Sequence, residues 1–202
     1  MKIVHIETIL HAGVYAKSAH WGKTRIAIHG AIKRCVWPPG TKKFTIHPQS
    51  GKKRGEGNGV GPIKDEFIAH LRKLGWTIEG AAKNHLDQDL GDFDAVLLGP
   101  NGPVVVEWET GNISSSHRSM NKLTMLVSSG VIAAGTLVIP SRKLYVYLTD
   151  RIGNYRELEP YVKLWKSVPC RIGVLEIVVI EQDAESFNVP RIPKRTDGRA
   201  QG

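Results

Sequence analysis

A chain of 202 residues with 41% hydrophobic and 23% charged residues has the balance of a folded domain with a full core, which excludes a largely disordered chain and fits membrane residence poorly. Lys and Arg outnumber Asp and Glu by 28 to 19, a formal charge of +9 and a pI near 9.6. That excess favours a polyanionic partner, nucleic acid or a membrane surface, although a basic pI also serves solubility alone.

Taken in chain order, "MKIVHIETIL" breaks its apolar run with His5 and Glu7, so it makes neither a signal peptide nor a membrane span, and a cytoplasmic protein is expected. From Thr24 to Val36, Ile28, Ile32 and Val36 recur at helical spacing, and the run ends at "WPPG", whose prolines forbid continuation. "KKFTIHP" alternates as a short strand, and "QSGKKRGEGNGVG" after it reads as a mobile basic loop whose lysines are solvated or touch phosphate. Pro62 sits where a helix starts, with Ile63, Phe67, Leu71 and Leu74 as its apolar stripe before Gly75. "FDAVLLG" and "PVVVEWE" are strand-like runs joined by the turn signal "PNG". A helix follows from Ser115 to Val127 with Met120, Leu123 and Val127 inward, then a buried strand "GTLVIP". "RKLYVYLTDR" and "NYRELEPYVKLW" read as short helices, although "LYVYL" alternates well enough for a strand. "RIGVLEIVVIE" is apolar enough to be central in a sheet, and residues 186–202 form an extended basic arm. Cys35 and Cys170 are the only cysteines, too few for a disulfide framework or a structural zinc site, and read as reduced core residues. The expected fold class is α/β, a central mixed β-sheet flanked by helices, in a single domain over 1–202.

The chemistry concentrates in "VVVEWETGNISSSHRSMNKL". Strand alternation puts Val105, Glu107 and Glu109 on one face and Val104, Val106 and Trp108 on the other. A hairpin centred between Pro100 and Asn101 sets Asp94 directly across from Glu107; a type I turn with a glycine bulge would slide the register by one and turn Asp94 away. The acids then form either a solvated strand face or a convergent cluster. Two carboxylates about 4 Å apart repel by roughly 4 kcal/mol at an effective dielectric of 20, so a convergent cluster must protonate or bind a cation. All-oxygen ligands suit Mg²⁺ or Mn²⁺, and such an ion on a basic protein points to phosphodiester hydrolysis.

The same stretch, "EWETGNISSSHRSMNKL", closely resembles the core of the BamHI-type type II restriction endonucleases. "CVWPPGTKKFTI", "GVGPIKDEF", "YLTDRIGNYRELEPY" and "NVPRIPKRTDG" also look like segments of that family, in the same order, so the resemblance runs from about residue 35 to 198. It implies a restriction-endonuclease-like core and a homodimer that cuts double-stranded DNA at a six-base palindrome, GGATCC, with Mg²⁺, Mn²⁺ also supporting activity. The products would carry 5′-phosphates on four-base 5′ overhangs. By position it implies metal ligation by Glu79, Asp94 and Glu107, the Glu79 match needing a one-residue gap. Glu109, where most related nucleases have a lysine, would position or deprotonate the attacking water. It implies that Asn112 and Ser114 read the central A·T pairs, that Arg118 and Arg151 contact guanines, and that Asp150 and Asp197 accept from cytosine amines. Lys64 and Gly198 are further implied DNA contacts. The resemblance gives His117 no catalytic role; a surface or capping position is expected for it.

Departures from the family pattern fall at Arg199, where a methionine is expected near DNA, and at Ser128, Ser129, Lys163 and Lys166, which replace opposite charges bridging the dimer. Two other readings stand beside site-specific cleavage: a metal-dependent repair or recombination nuclease, and a DNA-binding protein without catalysis. The first would have no use for Asn112, Ser114, Arg118 and "TDR" together; the second would have no use for acids that repel DNA.

Overall fold

The structure is a computed structural model, and it describes residues 1–53, 56–80, 92–149 and 152–194. Its elements in chain order are β1 (Lys2–Ala12), α1 (Ala19–Arg34), β2 (Thr45–Ile46), α2 (Gly61–Lys73), β3 (Thr77–Gly80), β4 (Phe93–Leu97) and β5 (Val104–Trp108). There follow α3 (Ile113–Ser128), β6 (Ala134–Pro140), α4 (Arg142–Tyr145), α5 (Tyr155–Leu158), α6 (Val162–Lys166), β7 (Gly173–Glu181) and β8 (Ala184–Glu185).

Six strands form one mixed sheet in the order β1-β7-β6-β5-β4-β3. β5, β6 and β7 run parallel to one another, while β1, β4 and β3 add antiparallel margins. The three parallel strands are buried almost without a break and rich in Val, Ile and Leu because helices cover both their faces. On one face α1 and α2 press Ile28, Ile32, Phe67 and Leu71 against Val104, Val106, Trp108 and Val178. On the other, α3, α5 and α6 press Met120, Leu123, Val127, Leu158 and Trp165 against Val105, Leu137 and Ile177. This is the α/β arrangement expected, with the strand that ends in the two glutamates in its interior.

Several boundaries shift for local reasons. α1 begins five residues earlier than the apolar pattern suggests, because the Ser18 hydroxyl accepts from the Trp21 amide and caps the helix there. It stops at Arg34, short of Val36. The "KKFTIHP" strand shrinks to Thr45–Ile46, paired with β8 apart from the main sheet. The segment expected to be a mobile loop is pinned where it is described: buried Asn58 donates to the His47 and Tyr147 carbonyls and accepts from the Ile192 amide. Gly51 lies so close to the Leu148 carbonyl that a Cβ would collide with it, and this is the use of that glycine. Cys35 is buried as expected, but Cys170 is only partly so. β1 and β3 carried no strong pattern of their own and complete the sheet at its two edges. Among the described residues no helix is long and apolar enough to cross a membrane.

Candidate active site

The hairpin adopts the first of the two registers. Ala95 pairs with Val106, Val96 with Val105 and Leu97 with Val104, and one step further sets Asp94 opposite Glu107. The Trp108 amide donates to Asp94 Oδ2 at 2.7 Å, fixing that carboxylate beside the end of β5. Glu107 lies on the α3 side of the sheet with Val105 and is only 8% exposed, which removes the solvated-face reading. Beyond the strand, the Glu109 amide donates to the Val138 carbonyl, so the backbone stays in line with β6 while its side chain enters the same cleft.

That cleft, of about 510 Å³, is lined by Asp94, Glu107 and Glu109, by Lys64 of α2, and by Arg118, Ser119 and Lys122 of α3. Each acid has its own partners. Lys64 Nζ lies 2.5 Å from Asp94 Oδ1, and Lys122 Nζ lies 2.6 Å from Glu107 Oε1. Glu109 accepts from the Gly111 amide at 2.7 Å and from the Ser119 hydroxyl at 3.2 Å. A Cβ on Gly111 would stand 2.7 Å from Glu109 Oε1, so a larger residue there would make the carboxylate shift from its present position.

Burial pushes the Glu107 carboxyl above the ordinary carboxylate range; Lys122 opposes this and the Asp94 charge adds to it. Burial likewise raises Glu109, against the bonds from Gly111 and Ser119 that favour its charged form. Both acids are therefore costly to ionise in the bare protein, and cations offset that cost. The donor chemistry fits a hard divalent ion: three carboxylates with no sulfur or imidazole, already drawing two ammonium groups. Among the described residues, however, no three acid, histidine or cysteine groups stand together as a ready metal cage.

The remaining sequence candidates fall in distinct places. Glu79 is exposed on β3 at the register position opposite Asp94, with a left-handed φ of 53°, and does not line the cleft. α3 starts at Ile113 rather than Ser115, because Asn112 Oδ1 accepts from the Ser115 amide and caps it. Asn112, Ser114 and Arg118 are exposed at this end of the helix. Lys64, expected as a DNA contact, is paired with Asp94 and lines the cleft with the acids. His117 is neither a cap nor a plain surface residue; it stacks edge-on against Tyr161 and near Trp165. Asp150, Arg151, Asp197 and Gly198 lie outside the described residues. Sequence reasoning missed Lys122 and Ser119, although Lys122 sits one helical turn after Arg118 and so shares its face.

The restriction endonuclease BamHI family model matches residues 1–199. The chain belongs to the BamHI family of type II restriction endonucleases. Within the family it is 43% identical to the type II restriction enzyme OkrAI of Oceanobacter kriegii over 202 residues, covering 99% of both chains. It is 34% identical to the type II restriction enzyme BamHI of Bacillus amyloliquefaciens over 180 residues, covering 81% of this chain and 76% of the other. In fold it resembles the crystal structure of restriction endonuclease BglII complexed with a DNA 16-mer, with a TM-score of 0.64 over 91% of this chain and 79% of that one. At 11% identity this likeness concerns the fold alone.

Proposed function

We propose that the chain acts as a single-domain, homodimeric endonuclease that cuts double-stranded DNA at GGATCC and leaves 5′-phosphates on four-base overhangs. The observation that carries this reading is the convergence of Asp94, Glu107 and Glu109 in one cleft whose wall is the helix bearing Arg118. A repair nuclease would need the acids without that wall, and a plain binder the wall without the acids.

Asp94 and Glu107 would hold Mg²⁺, or Mn²⁺ in its place, with Glu79 as the third candidate ligand. The left-handed backbone at Glu79 costs of order 1–3 kcal/mol, and strain of this kind clusters at functional sites. When bound, the divalent ion supplies charge neutralisation at the scissile phosphate and a more acidic water. Glu109 takes the proton of the attacking water; its two oxygens are aimed by the Gly111 amide and the Ser119 hydroxyl, so its orientation needs no rearrangement. The positive end of α3 faces the backbone of the DNA. Asn112 and Ser114 read the central A·T pairs, the cap engaging Asn112 Oδ1 while the two Nδ2 hydrogens serve base acceptors. Arg118 and Arg151 contact guanines, Asp150 and Asp197 the cytosine amines, and Gly198 the DNA beside them. Lys64 contacts DNA phosphate when it leaves Asp94.

The dimer face we assign to the outer side of α3, α6 and the turn before α6, where Met125, Leu164 and Tyr161 are 42%, 62% and 48% exposed. These two helices are already joined by the Trp165 indole donating to Asn121 Oδ1. Glu107→Ala tests the site: cleavage with Mg²⁺ should be abolished while specific binding in Ca²⁺ persists in a gel-shift assay, and unchanged cutting would sink the assignment.

A further inference from the structure

Lys122 differs from every other cation near the acids. Its side chain is only 12% exposed, against 39% for Lys64. Its ammonium is fixed by three partners at once: Glu107 Oε1 at 2.6 Å, the Asp92 carbonyl at 3.2 Å and the face of the Phe93 ring with its centroid 3.9 Å away. Lys64 can swing into solvent, whereas Lys122 can leave Glu107 only by giving up this whole seat.

We propose that Lys122 is the resident counter-cation of Glu107 in the DNA-free enzyme and delays acceptance of a divalent ion until DNA is bound. The inference rests on the nuclease reading above and adds to it a regulation of the same site. An ammonium on the carboxylate both occupies a ligand oxygen and repels an incoming dication. A phosphate entering the cleft offers the ammonium a second anion. The helix position favours that exchange, because Arg118 lies one turn before Lys122 and both line the cleft. Base reading through Arg118 and release of Glu107 through Lys122 are then two events on one rigid helix, so the wrong DNA, which does not seat α3, leaves the lysine in place.

The test is isothermal titration calorimetry with Ca²⁺ alone on the DNA-free full chain. Lys122→Met keeps an unbranched apolar side chain in this seat and removes the ammonium with its bonds to Glu107 and the Asp92 carbonyl; it should bind Ca²⁺ at least tenfold more tightly than wild type, and Lys122→Arg should stay within about threefold of wild type. Lys122→Met binding no more tightly would overturn the proposal. Should that variant not fold by circular dichroism, the wild type decides: acetylation of Lys122 by acetic anhydride, followed by mass spectrometry against exposed Lys23, should speed up severalfold in saturating Ca²⁺. An unchanged rate overturns it equally. Failure of the nuclease reading itself looks different, since the wild type would then leave DNA intact in Mg²⁺; and if Glu107 is not the metal site, Glu107→Ala binds Ca²⁺ as wild type does.

Discussion

Glu109 is held from both sides of the turn between β5 and α3, by the Gly111 amide before the helix and the Ser119 hydroxyl within it. Its carboxyl is nevertheless raised, burial being the largest cause. A carboxyl whose folded value is raised contributes most to stability when protonated, below its unfolded value, and that contribution is lost as pH rises through the folded value. A charged Glu109 is therefore a cost to stability, one that the catalytic role proposed above would explain. Glu109→Gln, which removes the charge and keeps an acceptor, should leave the metal-free melting temperature no lower than wild type while abolishing cleavage. A clear drop in melting temperature, measured by calorimetry at pH 7.5, would mean that the carboxylate is structural. The residue types at this site were legible in the sequence, because two acids one residue apart on an apolar strand are either a solvated face or a cluster that must protonate or bind a cation. Their aiming was not, since the bonds to Gly111 and Ser119 depend on how tightly the chain turns after Trp108.

At the scale of elements, the hairpin register was open between two alternatives until the pairing of Ala95 with Val106 decided it. Turn composition alone admits both, and it is burial of Phe93, Val96 and Val105 on the α3 face that fixes one. β1 escaped notice because its polar positions interrupt the apolar pattern and its partner β7 lies far along the chain. The same distance hid the contact that ties α1 to the sheet. Glu176 of β7, only 2% exposed, receives Arg25 Nε at 2.8 Å and His29 Nε2 at 3.4 Å, pairs separated by about 150 residues in sequence. Arg25→Ala leaves that buried carboxylate with a poor partner and should destabilise the chain by about 3 kcal/mol in urea unfolding. Arg25→Ala with Glu176→Gln should recover part of the loss; no recovery would show that Arg25 acts through packing instead.

For the whole molecule, cutting both strands of a palindrome calls for two sites related by a two-fold axis, and one chain carries one cleft of this kind among its described residues. In the dimer proposed above, with Ser128, Ser129, Lys163 and Lys166 in place of complementary charges, pairing would fall on exposed Met125, Tyr161 and Leu164. Leu164→Asp should convert a species of twice the chain mass into a monomer by light scattering and slow double-strand cleavage at least tenfold; a variant that stays dimeric places the interface elsewhere. The basic charge, the acid cluster and the capped helix α3 all bear on one claim, that this chain cuts DNA at a defined sequence. Digestion of a long DNA of known sequence with Mg²⁺, with every end mapped, tests it most directly. The account predicts ends only at GGATCC, each a 5′-phosphorylated four-base overhang. Intact DNA, or ends scattered without a common sequence, would contradict it.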